Sequence, residues 1–528
     1  MNRIGSLLGC ALGVVLLAAC LPIVAPDVRG LEHCPSPDAP IAFPDERLAA
    51  TIRTDLGLDT PDISCRALAG LRRLAANGVG VGDLTGLEYA VNVTRLDLRG
   101  SEVTDLSPIA ALPRLTRIDL LNGRIADLTP LRELGALTRL ELRRNAVTDL
   151  APLASITTLQ YLDLRNNDVD DITPLGALRA LQTLLLEGNR ITSVDALAEL
   201  TSLRTLNLQG NAISDAEPLG RLPELRSLNL RANELADVTF AFLLPRLENL
   251  DLSSNDLTDI AALAGPNTLT TLLLGRNRIS DIRSLEGLVH LQVLDLERNA
   301  VASVEPLLGL VRLERLDLAR NEVADVSALR GLGALEVLDL SRNRVRDVAP
   351  LRGLAALTTL ELARNQVSDI TPLAGLPALT RLGLERNAVG SLDPLAGMVA
   401  LTSLDARNTG IVDLQPLADM DALTVLRLSS NAIEDLTPLQ GLRALEVLDL
   451  SRNRLRDVAP LRGLSALTTL DLAGNRVADI EPLLALAGLA TLDLAGNCLL
   501  LGGDAGAHVA RLVANGTEVV SEPQDACE

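Results

Sequence analysis

Residues 137–158 read LTRLELRRNAVTDLAPLASITT, and residues 159–180 read LQYLDLRNNDVDDITPLGALRA. Both segments place leucines, a proline and one asparagine at the same positions, and this pattern recurs every 22 residues in twenty consecutive copies. The asparagine position is occupied by Val79, Ser101, Gly123, Asn145, Asn167, Asn189, Asn211, Asn233, Asn255, Asn277, Asn299, Asn321, Asn343, Asn365, Asn387, Thr409, Asn431, Asn453, Asn475 and Asn497. A fixed period of this length without insertions indicates a solenoid, in which each copy stacks on the next.

Each copy divides into a strand and a turn region. Leu140 and Leu142 alternate with charged residues, which is the pattern of a strand with one face turned inward. The region after Asn145 has irregular apolar spacing and usually a proline, such as Pro152, which suits turns and short 3-10 segments. The sequence therefore predicts an α/β-type solenoid, a leucine-rich repeat superhelix of about 20 repeats, with a parallel β-sheet on its concave face and turns on its convex face.

Two polar positions of the repeat are expected to be structural. A buried asparagine amide carries donors and an acceptor, so a column of such residues can satisfy backbone groups in the turns. The aspartate four residues later, such as Asp149, is expected to bond to nearby backbone N–H groups. Calcium binding by the aspartate column is the alternative, although the glycine-rich calcium repeat is absent.

The N-terminus is expected to direct export. Arg3 precedes a short apolar run, and the run ends in Leu-Ala-Ala-Cys20, which resembles a bacterial lipobox. The resemblance implies a lipoprotein signal peptide over residues 1–19, lipid attachment at Cys20 and a tether over residues 20–33; an ordinary secretory signal is the alternative. Leucine after the lipid cysteine resembles the outer-membrane default of proteobacterial lipoproteins. We therefore expect an exported protein held to the bacterial cell envelope, in the outer membrane if Gram-negative, and touching membrane only through this lipid.

Cysteines at both ends of the array also favour export, and they are Cys34, Cys65, Cys498 and Cys527. Of the three possible pairings, Cys34–Cys65 and Cys498–Cys527 are favoured because the array separates the two ends. Each bridge would close a loop of about 30 residues, which contributes about 3–4 kcal/mol in the chain-entropy model. We expect these bridges to hold an N-terminal cap over residues 34–68 and a C-terminal cap over residues 498–528, on either side of the repeats at 69–497.

The N-terminal cap should contain a helix that begins after Asp45 and ends at Gly57. A closing helix over residues 504–515 and a last strand over residues 517–520 are predicted at the other end. The motif Ile41-x-Phe43-Pro44-Asp45-x-x-Leu48 resembles the cap of internalin-type bacterial surface proteins, and the repeats with their D-[IVL]-x-P-L half extend this resemblance over residues 41–497. The resemblance implies adhesion or recognition of a partner through the concave face.

Composition argues against several other functions. The formal net charge of −20 and the pI near 4.7 disfavour nucleic acid as a partner. The three histidines lie far apart, and no catalytic, cofactor or metal-binding constellation is recognisable. We expect a monomeric, non-enzymatic protein that binds a protein or glycan partner. A structural envelope lipoprotein without a tight ligand is the alternative, and an intracellular repeat protein of the phosphatase-regulator type is disfavoured by the export features.

Charged columns should cover the solvent face of the sheet. The residue four positions before the asparagine is mostly acidic, and the residue just before it is arginine in six consecutive repeats: Arg276, Arg298, Arg320, Arg342, Arg364 and Arg386. Because like charges on neighbouring strands repel, we expect the two columns to neutralise each other. A polyanion-binding arginine track is the alternative.

The N-terminal third offers a candidate binding patch. An aromatic and two apolar side chains are placed there among charged residues, as in protein-binding hot spots. The patch comprises Tyr161, Leu121, Leu185, Arg117, Arg139, Arg143, Arg165, Asp163 and Glu141. Scattered surface apolar residues without a ligand are the alternative. A second, convex candidate contains Phe240 and Phe242, for which core packing is the favoured interpretation.

Overall fold

The computed structural model describes residue 34 and residues 36–265 and 268–524. The expected signal peptide, the lipid-attachment residue Cys20, the tether and Cys527 lie outside the described residues.

Within these residues, α-helices occur only at the two ends, as α1 (Glu46–Leu56), α2 (Cys65–Leu68) and α3 (Asp504–Ala514). The same part of the chain contains twenty-one strands of three residues: β1 Arg73–Ala75, β2 Arg95–Asp97, β3 Arg117–Asp119, β4 Arg139–Glu141, β5 Tyr161–Asp163, β6 Thr183–Leu185, β7 Thr205–Asn207, β8 Ser227–Asn229, β9 Asn249–Asp251, β10 Thr271–Leu273, β11 Val293–Asp295, β12 Arg315–Asp317, β13 Val337–Asp339, β14 Thr359–Glu361, β15 Arg381–Gly383, β16 Ser403–Asp405, β17 Val425–Arg427, β18 Val447–Asp449, β19 Thr469–Asp471, β20 Thr491–Asp493 and β21 Glu518–Val520.

The opposite side of the array consists of turns and short 3-10 helices. Among the described residues these helices are Leu87–Tyr89, Ser107–Ile109, Thr129–Leu131, Ala151–Ser155, Thr173–Ala177, Asp195–Glu199, Glu217–Arg221, Thr239–Leu243, Ala261–Ala264, Arg283–Leu285, Glu305–Leu307, Ser327–Leu329, Ala349–Leu351, Thr371–Leu373, Asp393–Leu395, Gln415–Leu417, Thr437–Leu439, Ala459–Gly463 and Glu481–Ala485. Proline stands early in many of them, where its missing N–H breaks no hydrogen bond.

The strands form one parallel sheet in chain order. Each strand pairs with the next copy in the same register, so that Leu140 lies opposite Leu162 and Leu162 opposite Leu184. The apolar side chains of successive copies form one continuous buried core, from Leu48 in α1 to Leu512 in α3. These findings confirm the predicted leucine-rich repeat solenoid.

The repeated asparagine has the predicted structural role. In Asn167, the amide nitrogen donates to the carbonyls of Leu142 at 3.0 Å and Leu164 at 2.9 Å, and Oδ1 accepts from the N–H of Val147 at 3.0 Å. The side chain therefore joins its own turn to the preceding copy. The following aspartate also acts as expected, because Oδ1 of Asp149 accepts from the N–H of Ala151 at 2.8 Å.

The residue before the asparagine has a backbone conformation that the sequence did not reveal. Its φ is positive in most repeats, including those with arginine there, such as Arg276 at 60° and Arg342 at 59°. A left-handed conformation costs an L-residue other than glycine roughly 1–2 kcal/mol. The arginines of this position are therefore held in the sharp turn that ends each strand.

The N-terminal cap contains the predicted helix. Asp45 is the N-cap of α1 and accepts from the backbone N–H groups of Arg47 and Leu48, while Gly57 ends the helix with a φ of 63°. Cys34 and Cys65 form the expected disulfide. The cap thus covers the first edge of the sheet and the start of the core.

The C-terminal end has the predicted helix and strand, since α3 is followed by β21, which pairs in parallel with β20. Cys498 is disulfide-bonded, and its expected partner Cys527 lies outside the described residues. No helix in the described part of the chain is long and apolar enough to cross a bilayer.

A candidate recognition surface on the sheet

Side chains of the same repeat position stand next to one another on the solvent face of the sheet. The parallel register places Arg117 opposite Arg139 and Arg139 opposite Tyr161, while Asp119 lies opposite Glu141. Neighbouring strands lie about 4.8 Å apart, so each repeat position forms a column of closely spaced groups. The environment of each charged side chain in a column therefore depends on the side chains of the neighbouring strands.

In β2 to β5, arginines cover the acidic column. Asp97, Asp119 and Asp163 are only 1%, 0% and 2% exposed. Arg95 contacts Asp97 at 2.8 Å, and Arg99 Nε donates to Asp119 at 2.6 Å. In this part of the sheet, the acidic column is paired with arginines six or two residues before the asparagine position and not, as expected, with the residue just before it.

One residue of the predicted patch is not available for contact. Asp163 was expected on the surface, but the guanidinium of Arg165 lies over it and donates to both carboxylate oxygens, at 2.9 and 2.6 Å. The expectation that Asp163 is exposed is wrong because strand alternation cannot show that a long neighbouring side chain folds over a short one. Asp163 instead holds Arg165 in place.

Tyr161 is the centre of the patch. The guanidinium carbon of Arg139 lies 3.4 Å from the centroid of its ring, which is a cation–π contact. Glu141 accepts from Arg139 Nε at 2.7 Å and from Arg117 Nη2 at 2.9 Å. Burial, followed by the charge of Asp163, raises the pKa of Tyr161, so the phenol stays protonated. The ring is thus held in one orientation by a network that continues over three strands.

The patch also has donors without acceptors. The Nε atoms of Arg117 and Arg143 are buried and have no hydrogen-bond partner in the described part of the protein. Buried polar atoms are nearly always satisfied, so these two are exceptions within the network of the patch. Arg143 has no ion pair to any described residue, which sets it apart from Arg139 and Arg165.

The two leucines of the patch are half-buried and lie on opposite sides of Tyr161. Leu185 is on β6, opposite Asp163, and Leu121 follows β3. The structure therefore brings the predicted residues onto one surface of four neighbouring repeats. Arg99, which donates to Asp119 beside the patch, is not among the residues predicted from the sequence. It could have been found from its position, because Arg99 and Arg165 both lie two residues after an acidic strand residue.

A different arrangement occurs in β11 to β14, where the acidic column consists of Asp295, Asp317, Asp339 and Glu361. None of these four carboxylates lies within ion-pair distance of an arginine among the described residues. Burial, together with neighbouring carboxylates, raises the pKa of Asp317 to about 6 and that of Glu361 to about 7. The expected neutralisation is therefore wrong for this segment.

The convex candidate is divided between core and surface. Phe240 is buried, as the favoured interpretation required, whereas Phe242 is 62% exposed. No group of residues suited to hold a metal ion occurs in the described ranges, and nothing there points to catalysis.

Comparison with known proteins agrees with this architecture. Family models of leucine-rich repeats match residues 155–172, 245–301 and 421–477, and a model of two repeat copies matches residues 179–221, 333–375 and 399–441. A search of curated proteins finds no match.

Solved structures show the same fold. An internalin, InlF of Listeria monocytogenes str. 4b F2365, is 30% identical with a TM-score of 0.58, and the match covers 65% of this chain and 97% of that chain. A leucine-rich repeat protein of Leptospira interrogans is 23% identical, with a TM-score of 0.52 and coverage of 81% and 96%. The Arabidopsis receptor kinase HAESA, in complex with the peptide hormone IDA and the co-receptor SERK1, is 22% identical, with a TM-score of 0.59 and coverage of 87% of both chains. With its repeats, its cap and its similarity to InlF, this chain belongs to the internalin-like leucine-rich repeat proteins.

Proposed function

We propose that this chain is an exported recognition protein that binds a protein partner through the N-terminal patch of its concave face. The observation that carries the proposal is the stacking of Arg139 on Tyr161 at 3.4 Å. Tyrosine and arginine dominate protein-binding hot spots, and a ring that is already held in place loses little conformational entropy on binding.

The surroundings of Tyr161 support the same proposal. Leu121 and Leu185 provide apolar area on either side, and the partly exposed Arg143, which has no ion pair to any described residue, provides a cationic group. Hot spots typically combine such an aromatic anchor with apolar contacts and a polar rim. HAESA, which shares the fold, is in complex with a peptide hormone.

The location is proposed from the N-terminal sequence. We propose that lipid on Cys20 holds the protein to the cell envelope, outside the cytoplasm, and the disulfide between Cys34 and Cys65 agrees with an oxidising compartment. Mass spectrometry of the mature N-terminus tests this: a diacylated or triacylated Cys20 is expected, and an unmodified residue at any other cleavage site contradicts the anchor.

The binding proposal is tested with a photo-crosslinking residue at position 161 in living cells, followed by binding of the captured partner to the purified protein. We expect Tyr161→Ala and Arg139→Ala each to weaken binding about tenfold or more, because hot-spot truncations cost about 2 kcal/mol. Arg381→Ala is the matched control, since Arg381 begins β15 as Arg139 begins β4.

Three outcomes contradict the proposal. Unchanged binding by both patch variants, with unchanged thermal stability, would exclude the patch as the interface. Absence of any saturable partner for the wild-type protein would instead favour a structural envelope lipoprotein. Capture of a glycan instead of a protein would also contradict the proposal of a protein partner.

A further inference from the structure

Six consecutive arginines form a second feature of the surface, which we call the arginine track: Arg276, Arg298, Arg320, Arg342, Arg364 and Arg386. All six have φ between 55° and 60°. Other repeats place glycine, asparagine, alanine or serine here, and outside the track only Arg144 and Arg452 share the arginine. Because left-handed backbone disfavours L-residues other than glycine, each arginine of the run carries a local conformational cost.

The track has few carboxylate partners. Glu297 lies 3.8–3.9 Å from Arg276, Arg298 and Arg320, which is too long for a hydrogen bond. Glu385 lies 3.6 Å from Arg364 and 3.5 Å from Arg386. Two glutamates, one near each end of the track, therefore make long ion-pair contacts with five of its six arginines.

The centre of the track is positive and open. Arg342 has no ion pair among the described residues, and the charges of Arg364 and Arg320 lower its pKa. Glu297 and Glu385 each lie two residues before the asparagine of their repeat. In the three repeats between them, this position is occupied by Ala319, Ser341 and Ala363. Since these small side chains carry no charge, Arg342 has no carboxylate within ion-pair distance among the described residues, and Arg320 and Arg364 have only their long contacts to Glu297 and Glu385.

The neighbouring acidic column does not cancel this charge. Its members Asp317 and Glu361 are partly buried and make no ion pair with the track in the described structure. The pKa of Glu361 is raised to about 7, which reduces the negative charge of this group near neutral pH. The arginines thus form a positive line on a protein of net charge −20.

The spacing and composition of the track select the class of ligand. Successive arginines follow the strand spacing of about 4.8 Å, whereas an extended peptide presents same-side groups about 6.6 Å apart, so an acidic peptide does not match. Single-stranded nucleic acid binds by stacking its bases on aromatic rings. The last aromatic residue of the chain is Phe242, before the track begins. An anionic sugar chain needs only a line of cationic donors.

We propose that the arginine track is a binding site for an anionic polysaccharide, whose sulfate or carboxylate groups pair with Arg320, Arg342 and Arg364. This site is separate from the N-terminal patch and does not depend on the function proposed there.

The test measures binding of the full chain to heparin and to polygalacturonate at low ionic strength, with dextran as the neutral control. We expect saturable binding of at least one polyanion, no binding of dextran, and weakening by added salt. The variant R320N/R342N/R364N should bind about 10- to 100-fold more weakly, because each exposed ion pair contributes little alone and three are removed. Asparagine tolerates left-handed backbone, so this variant should remain folded.

R144N/R452N is the matched control, because it removes arginines from the same turn position outside the track, and its binding should be unchanged. Tyr161→Ala should also leave polysaccharide binding unchanged. Heparin alone would identify sulfate as the recognised group, and polygalacturonate alone would identify carboxylate. No binding of either polyanion, equal binding of polyglutamate, or unchanged binding by the triple variant would overturn the proposal.

Discussion

At the scale of single residues, the repeated asparagine connects neighbouring copies. In Asn343, the amide nitrogen donates to the carbonyls of Leu318 at 2.8 Å and Leu340 at 3.0 Å, and Oδ1 accepts from the N–H of Val323 at 2.9 Å. The chain contains its own comparison, because Thr409 takes the same position; its hydroxyl donates to the carbonyl of Ala406 at 2.6 Å and lies 3.2 Å from Oδ1 of Asn431 in the next copy. A hydroxyl therefore replaces one of the three bonds.

Asn343→Ala should lower the free energy of unfolding by about 2–4 kcal/mol, since it removes three hydrogen bonds and leaves the N–H of Val323 without an acceptor. Asn343→Thr should cost less because it can keep the bond within its own turn, as Thr409 does. Urea denaturation of both variants measures the difference. Equal losses would show that the amide contributes no more than a hydroxyl.

At the scale of elements, Asp45 connects α1 to the first repeat. Besides capping the helix, its Oδ2 accepts from the N–H of Gly82 at 2.7 Å. Burial opposes ionisation, but hydrogen bonds from the Arg47 side chain and from the backbone of Gly82 outweigh it and hold the pKa of Asp45 well below its usual range. The carboxylate of Asp45 therefore stays charged at a pH at which an ordinary aspartate would be protonated.

Asp45→Ala should destabilise the protein by about 2–4 kcal/mol, because it removes a helix cap and leaves the Gly82 N–H without an acceptor. Asp59→Ala, at an exposed position just after α1, is the control and should change stability by less than about 0.5 kcal/mol. Thermal unfolding compares the two variants, and limited proteolysis reports whether the cap opens first. Equal midpoints would refute the connecting role of Asp45.

Some of these features could be read from the sequence and others could not. The period, the alternation of Leu140 and Leu142 and the cap motif predict the strands, their order and α1 because each depends on local pattern. Burial of Asp163 depends on how Arg165 folds over it, which spacing does not report. The same limit applies to the patch, since its residues were predicted as neighbours but the contact between Arg139 and Tyr161 required coordinates.

At the scale of the whole molecule, charge is compensated unevenly along the sheet. The acids of β2 to β5 lie under arginines, whereas Asp317 and Glu361 lie beside other carboxylates. A group with a raised pKa in the folded state binds protons more tightly there than in the unfolded chain. Its contribution to stability is complete below the unfolded pKa and is lost as pH rises through the folded value.

We therefore expect the free energy of unfolding to rise as pH falls from about 8 to about 5, and to decline below about 4, where Asp45 and similar hydrogen-bonded carboxylates lose their advantage. Glu361→Gln should remove about 1–3 kcal/mol of this rise, because its pKa lies at about 7 against an ordinary value of 4.5. Urea titrations of wild type and variant at each pH measure the slope. Identical slopes would show that Glu361 does not titrate in this range.

The uniform register of the sheet has a consequence for how such a chain can change over generations. Every strand meets its neighbour in the same alignment, and the asparagine contacts are the same from copy to copy. Duplication or loss of one whole repeat in the gene therefore recreates the same contacts between neighbouring repeats and leaves the two terminal caps unchanged. Lineages can lengthen or shorten the protein by recombination among its own copies, and so adjust its reach without inventing a new interface.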